Sequence, residues 1–98
     1  MEENAKTKQT FLVVLDANSA TGDLFAKDPD YWFNGESRRN PCLRCVSVHV
    51  DVQPYLRAIR LRSEDQSRQE FLVPHHSVVA IFPLGDAEDP RRIGFSID

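Results

Sequence analysis

The sequence predicts a small all-β domain, a strongly bent barrel of five strands, and three observations carry that expectation. Val46, Val48, Val50 and Val52 alternate with Ser47, His49 and Asp51, the period of a strand with one buried and one wet face. Two apolar runs of strand length, at Gln9 to Asp16 (QTFLVVLD) and Val78 to Phe82 (VVAIF), are bounded by polar, turn-forming or proline residues. Nothing in the chain reads as a long helix.

The 98 residues and formal net charge of −3 bound the answer further. A chain of this length is one domain, residues 1–98, with a core small enough that self-association is a natural supplement to stability. An acidic balance argues against a protein that coats nucleic acid nonspecifically. No apolar run approaches the ~20 residues of a membrane span, and MEENAKTKQT lacks the apolar centre of a signal peptide. The expected compartment is therefore the cytoplasm, and two cysteines fit it, because a small secreted domain usually carries more.

Taken in order, residues 1–8 read as a flexible polar tail and Gln9 to Asp16 as a strand buried on both faces. Residues 17–42 read as a long irregular insertion: Asn18-Ser19, Asp28-Pro29-Asp30, Asn34-Gly35 and Asn40-Pro41 are all turn signals. Within it, Gly22 to Lys27 reads as a short strand. Tyr31, Trp32 and Phe33 form an aromatic cluster expected to fill the core or a subunit interface. Leu43 to Val52 is the valine-ladder strand, ended by Pro54, which lacks an N–H. Tyr55 to Ser63 reads as its hairpin partner, with a short helix as the competing assignment and a change of phase between Ala58 and Ile59 that suggests a bulge. Glu70 to Val73 and Val78 to Phe82 follow as short strands, joined through His75-His76-Ser77. Residues 85–98 read as a tail with one further strand or ordered segment at Ile93 to Ile97.

Catalytic machinery is not expected. His75-His76-Ser77 has no nucleophile elbow and no placed acid, and the four glycines are too scattered for a phosphate loop. Cys42 and Cys45 form a C-x-x-C that leads into a strand rather than a helix, and no second ligand pair stands at zinc spacing. The expectation is no cofactor and no metal. A metal or thiol site on these cysteines and the histidines is the least favoured of three functional readings. Arg57, Arg60 and Arg62 lie on one hairpin strand, and Arg60 and Arg62 share a face. That stripe reads either as a phosphate contact or as a wet face balanced by Asp51, Glu64 and Glu70.

Glu70 to Pro83 (EFLVPHHSVVAIFP) resembles the end of the Sm-like fold, the bacterial Hfq-type branch above all. Phe71-Leu72-Val73 stands for its fourth strand, His75-His76 for its Lys-His pair, and Val78 to Phe82 for its fifth strand. Asp51-Val52-Gln53-Pro54-Tyr55 stands where that branch places an acid, a Gln and an aromatic. The resemblance implies an Sm-like, SH3-like barrel that assembles into a homo-oligomeric ring and binds single-stranded, uridine-rich RNA at a pore or rim. It implies an RNA site of Gln53, Tyr55, His75 and His76, to which Arg57, Arg60 and Arg62 would add positive charge. His75 stands where the family has Lys, and a fixed charge is lost with it. The second reading is an assembly module on the same barrel, joined through strand edges and the loop of Tyr31, Trp32 and Phe33, without nucleic acid.

Overall fold

The computed structural model describes residues 9–35, 38–50, 54–62, 67–85 and 89–97, the side chains of 92 and 93 excepted. Along the chain come β1 (Thr10–Leu15), α1 (Ala20–Phe25), β2 (Tyr31–Asn34), β3 (Arg39–His49), β4 (Tyr55–Leu61), β5 (Arg68–Pro74), a 3-10 turn (His75–Ser77), β6 (Val78–Leu84), a second 3-10 turn (Pro90–Ile93) and β7 (Phe95–Ser96). The protein is predominantly β, and every strand pairing is antiparallel. No helix among the described residues is long and apolar enough to cross a membrane.

β1 is the axis of the molecule. Leu12, Val13, Val14 and Leu15 are all fully buried, because alternate residues of one strand point to opposite faces and both faces are covered. Val13 and Leu15 join Leu43, Cys45, Leu56, Ala58 and Val73 in an aliphatic cluster. Leu12 and Val14 join Cys42, Leu84 and Phe95 in a second cluster, which Tyr31, Phe33 and Phe82 complete.

β3 serves both sides. Its residues 42–45 pair with β1. On its other edge residues 39–42 pair with β2 and residues 45–49 with β4. The path β5-β4-β3-β1-β6 curls around the aliphatic cluster, so that Val73 from one end and Ile81 from the other pack into it. On the opposite face β2 carries β7, and this arm curls the other way until the rings of Phe95 and Phe82 lie 5.4 Å apart.

Several expectations are corrected. The sheet has seven strands rather than five, and it is not closed: among the described residues no backbone pairing joins β5 to β6. Pro74 and Pro83, one in each of these strands, have no N–H to donate to a ladder. The described residues of the insertion at 17–42 form α1, β2 and the start of β3, and the strand expected at Gly22 to Lys27 is the helix α1. Ser19 caps it by accepting a hydrogen bond from the Gly22 amide at 2.9 Å. Gly22 is required there, since a Cβ would stand 1.9 Å from the carbonyl oxygen of Asp16. Strand β3 starts at Arg39, upstream of the expected Leu43.

The valine ladder is also less buried than its alternation suggests. Val46 and Val48 are half-buried and Val50 is exposed, while Val52 lies outside the described residues. The register shifts in β3 between Cys45 and Ser47, so Cys45 and Val48 both face the aliphatic cluster. The bulge thus falls on β3 and not on β4, whose register with β5 is unbroken. β4 keeps one phase, with Leu56, Ala58 and Arg60 all buried. The strand at Ile93 to Ile97 is present as β7, entered through Gly94 at φ 104°, a left-handed conformation that favours glycine.

Candidate functional site

The two bends named by the sequence come together. The hairpin bend before β4 reaches Pro54, whose carbonyl accepts a hydrogen bond from the His75 amide at 3.1 Å. Tyr55 pairs with Pro74 in the β4–β5 register. Tyr55 and His76 are exposed and His75 is half-buried. The Nε2 atom of His75 is buried and has no hydrogen-bond partner among the described residues. Gln53, like Asp51, lies outside the described residues.

The arginine stripe does not form. Arg60 occupies an inward position of β4 after Leu56 and Ala58, and is only 3% exposed. Its Nε donates to Oδ2 of Asp30 at 3.0 Å and its Nη2 to Oδ1 of Asp30 at 3.0 Å and to the Asp28 carbonyl at 2.6 Å. A two-toothed guanidinium–carboxylate contact of this kind is the geometry in which a buried charge is tolerated. Arg62 pairs with the Asp28 carboxylate at 2.9 Å, and Arg57 pairs with Glu70 across the β4–β5 ladder. The shared wet face expected for Arg60 and Arg62 is corrected: Arg60 belongs to the interior.

Asp30 is the residue the sequence did not single out. Besides Arg60 it accepts the Arg44 amide at 2.7 Å, and its own amide donates to the Cys42 carbonyl at 2.9 Å. An Asp-Pro-Asp loop reads as solvated, and its partner stands 30 residues downstream. The one available signal is an Arg in phase with Leu56 and Ala58.

The cysteines sit on either side of the sheet, Cys42 in the second cluster and Cys45 in the aliphatic one. Three residues of strand separate their Cα atoms by about 10 Å, well past the reach of a disulfide. Burial pushes both thiols up, with the Asp30 carboxylate adding to it; Cys45 rises from 9.0 to about 12 although Arg60 opposes the shift. A thiol so protonated is a poor nucleophile and a poor metal ligand. Among the described residues no three His, Cys, Asp or Glu side chains gather in a group that could hold a metal ion.

The aromatic triplet divides. Tyr31 and Phe33 pack on the second cluster, with Phe33 4.9 Å from the ring of Phe95 and 5.6 Å from that of Phe82. Trp32, one residue out of phase, lies under the Arg39 guanidinium at 4.3 Å.

No family model, curated protein or solved structure matches the chain.

Proposed function

We propose that this protein is a non-enzymatic, Sm-like assembly module of the cytoplasm that pairs with copies of itself through the two open ends of its sheet. The observation that carries this reading is the strand order β5-β4-β3-β1-β6, which among the described residues leaves β5 and β6 each with a neighbour on one side only. Leu72 on β5 is 57% exposed and Val79 on β6 is 51% exposed. Apolar residues on unpaired edges are an invitation to strand pairing. Joining the end of one copy to the other end of the next is a heterologous contact, which closes into a ring when the rotation permits. The 3-10 turn between β5 and β6 and the bent path around the aliphatic cluster support the Sm-like, SH3-like reading of these strands. Trp32 stays in the interface proposal, while Tyr31 and Phe33 serve the second core.

Sedimentation of the protein at micromolar concentration tests this. The expected result is one defined multimer, reduced to monomer by Leu72→Lys or Val79→Lys, since an edge lysine blocks pairing and neither site is buried. A wild-type monomer at these concentrations would overturn the proposal.

A second reading, uridine-rich single-stranded RNA bound at the same assembly, is favoured by the convergence of Tyr55, His75 and His76 at the joined bends. Against it stand the ion pairs that occupy Arg57, Arg60 and Arg62. Fluorescence anisotropy with a labelled oligouridine at low salt decides. Binding that Tyr55→Ala weakens by roughly 1–3 kcal/mol, the worth of one stacked base, supports it; no binding at low salt removes it.

A further inference from the structure

We propose that a cleft at the rim of the second core is a binding site for a small carboxylic acid with a short apolar tail. The cleft has a volume of about 240 Å³ and is lined by Asp30, Tyr31, Arg44, Leu61 and Ile97. It lies where the end of β4, the start of β2 and the residue after β7 meet beside β3.

Arg44 carries the argument. It is two residues from Cys42 on β3 and opposite Leu12 of β1, so it shares the face of the second core. It is half-buried, and its Nε is buried without a hydrogen-bond partner. An unpaired donor on a buried cation is costly. Each neighbouring cation has a carboxylate: Arg60 has Asp30 and Arg62 has Asp28. The guanidinium of Arg44 has none among the described residues, and Arg44 is one of the residues lining an open cleft.

The other walls select the ligand. Asp30 is the one acid in the lining, and Arg60 neutralises it while occupying both of its oxygens. A singly charged carboxylate is thereby tolerated, whereas a phosphate dianion would set a second negative charge against Asp30 with no cation left to meet it. The planar fork of an arginine matches a carboxylate in two-toothed geometry. Leu61 and Ile97 supply apolar walls, and Ile97 is 63% exposed, a large apolar side chain with no cover. Tyr31 adds a ring and a hydroxyl. The volume is below the roughly 300–1,000 Å³ of sites for drug-sized ligands, so the tail is of a few carbons, as in a leucine side chain.

The test is a titration of the protein with N-acetyl-leucine, its neutral amide and inorganic phosphate, followed by backbone amide NMR shifts at Arg44 and Ile97. The expected result is saturable binding of the acid, at least tenfold tighter than the amide and than phosphate, with shifts centred on those two residues. Arg44→Gln should abolish the preference for acid over amide, and Ile97→Ala should weaken the acid several-fold. Equal affinity for acid and amide would overturn the proposal, as would phosphate binding as tightly as the acid, or shifts centred elsewhere. Should Arg44→Gln fail to fold, the wild-type comparison of acid with amide decides alone.

Discussion

The two faces of β1 are covered by different means. The aliphatic side is sealed by strands of seven or more residues, β3, β4, β5 and β6, paired in long ladders that break register only between Cys45 and Ser47 and between Val14 and Leu15. The aromatic side is sealed by a four-residue and a two-residue strand, β2 and β7, and by the rings of Phe33, Phe82 and Phe95. Long ladders satisfy the backbone and bury side chains together. Short strands fix little backbone and depend on the large area that each aromatic ring buries. The first core should therefore unfold with the whole domain, and the second should open by itself at lower cost. The Asp30–Arg60 pair clasps the two, since Asp30 leads into β2 and Arg60 points inward from β4.

The largest effect is expected from breaking that clasp. Asp30→Ala leaves the Arg60 guanidinium buried and unpaired, at a cost of roughly 3–5 kcal/mol. Denaturant melts should show this loss, and combining Asp30→Leu with Arg60→Met should recover most of it. If Asp30→Ala is as stable as wild type, the pair does not join the cores.

Next comes Leu43→Ala in the aliphatic core, expected to cost roughly 2–5 kcal/mol and to lower the midpoint of the single global transition. Phe95→Ala removes a comparable side chain from the aromatic core, yet its effect should be mostly local. Amide exchange should speed up at Trp32, Phe33 and Ser96, with a global loss of about 1–2 kcal/mol, because a small unit opens before the whole. Equal global losses from the two variants would mean that the cores are one cooperative unit.

The smallest effect concerns the thiols that flank β1. The folded-state pKa of Cys45 is raised to about 12 and that of Cys42 is raised as well, so the folded protein holds these protons more tightly than the unfolded chain. The resulting stabilisation is complete below about pH 9 and is lost as pH climbs toward 12. Alkaline melts should decline over that window, and Cys45→Ala should flatten the decline. At neutral pH neither cysteine should react with a thiol reagent until the domain unfolds.

The elements read best were those whose cause is local. QTFLVVLD reads as a strand covered on both faces, and Pro74 marks the end of β5, whereas β6 runs past Pro83 to Leu84. Pro54 and His75 are neighbours in the fold, a contact that no spacing in the sequence fixes. The elements read poorly were those fixed at a distance. Ser19 and Gly22 make a helix of a stretch read as a strand, because Gly22 must approach the Asp16 carbonyl. The clasp eluded a local reading, since an Asp in a turn and an Arg on a strand look solvated until the chain brings them together. The Arg44 cleft depends on five residues spread from Asp30 to Ile97, and no segment of sequence contains it.

The sequence by itself determined that the chain is built of short strands and that Gln9 to Asp16 is covered on both faces, because alternation, apolar runs and proline act within a few residues. Only the tertiary structure decided that the sheet curls to both sides, that Arg60 is interior while Arg44 lines a cleft, and that among the described residues β5 and β6 each have a strand neighbour on one edge only. Burial and ion pairing depend on which distant residues meet. That partnership is a property of the folded surface, which residue order specifies only through the fold.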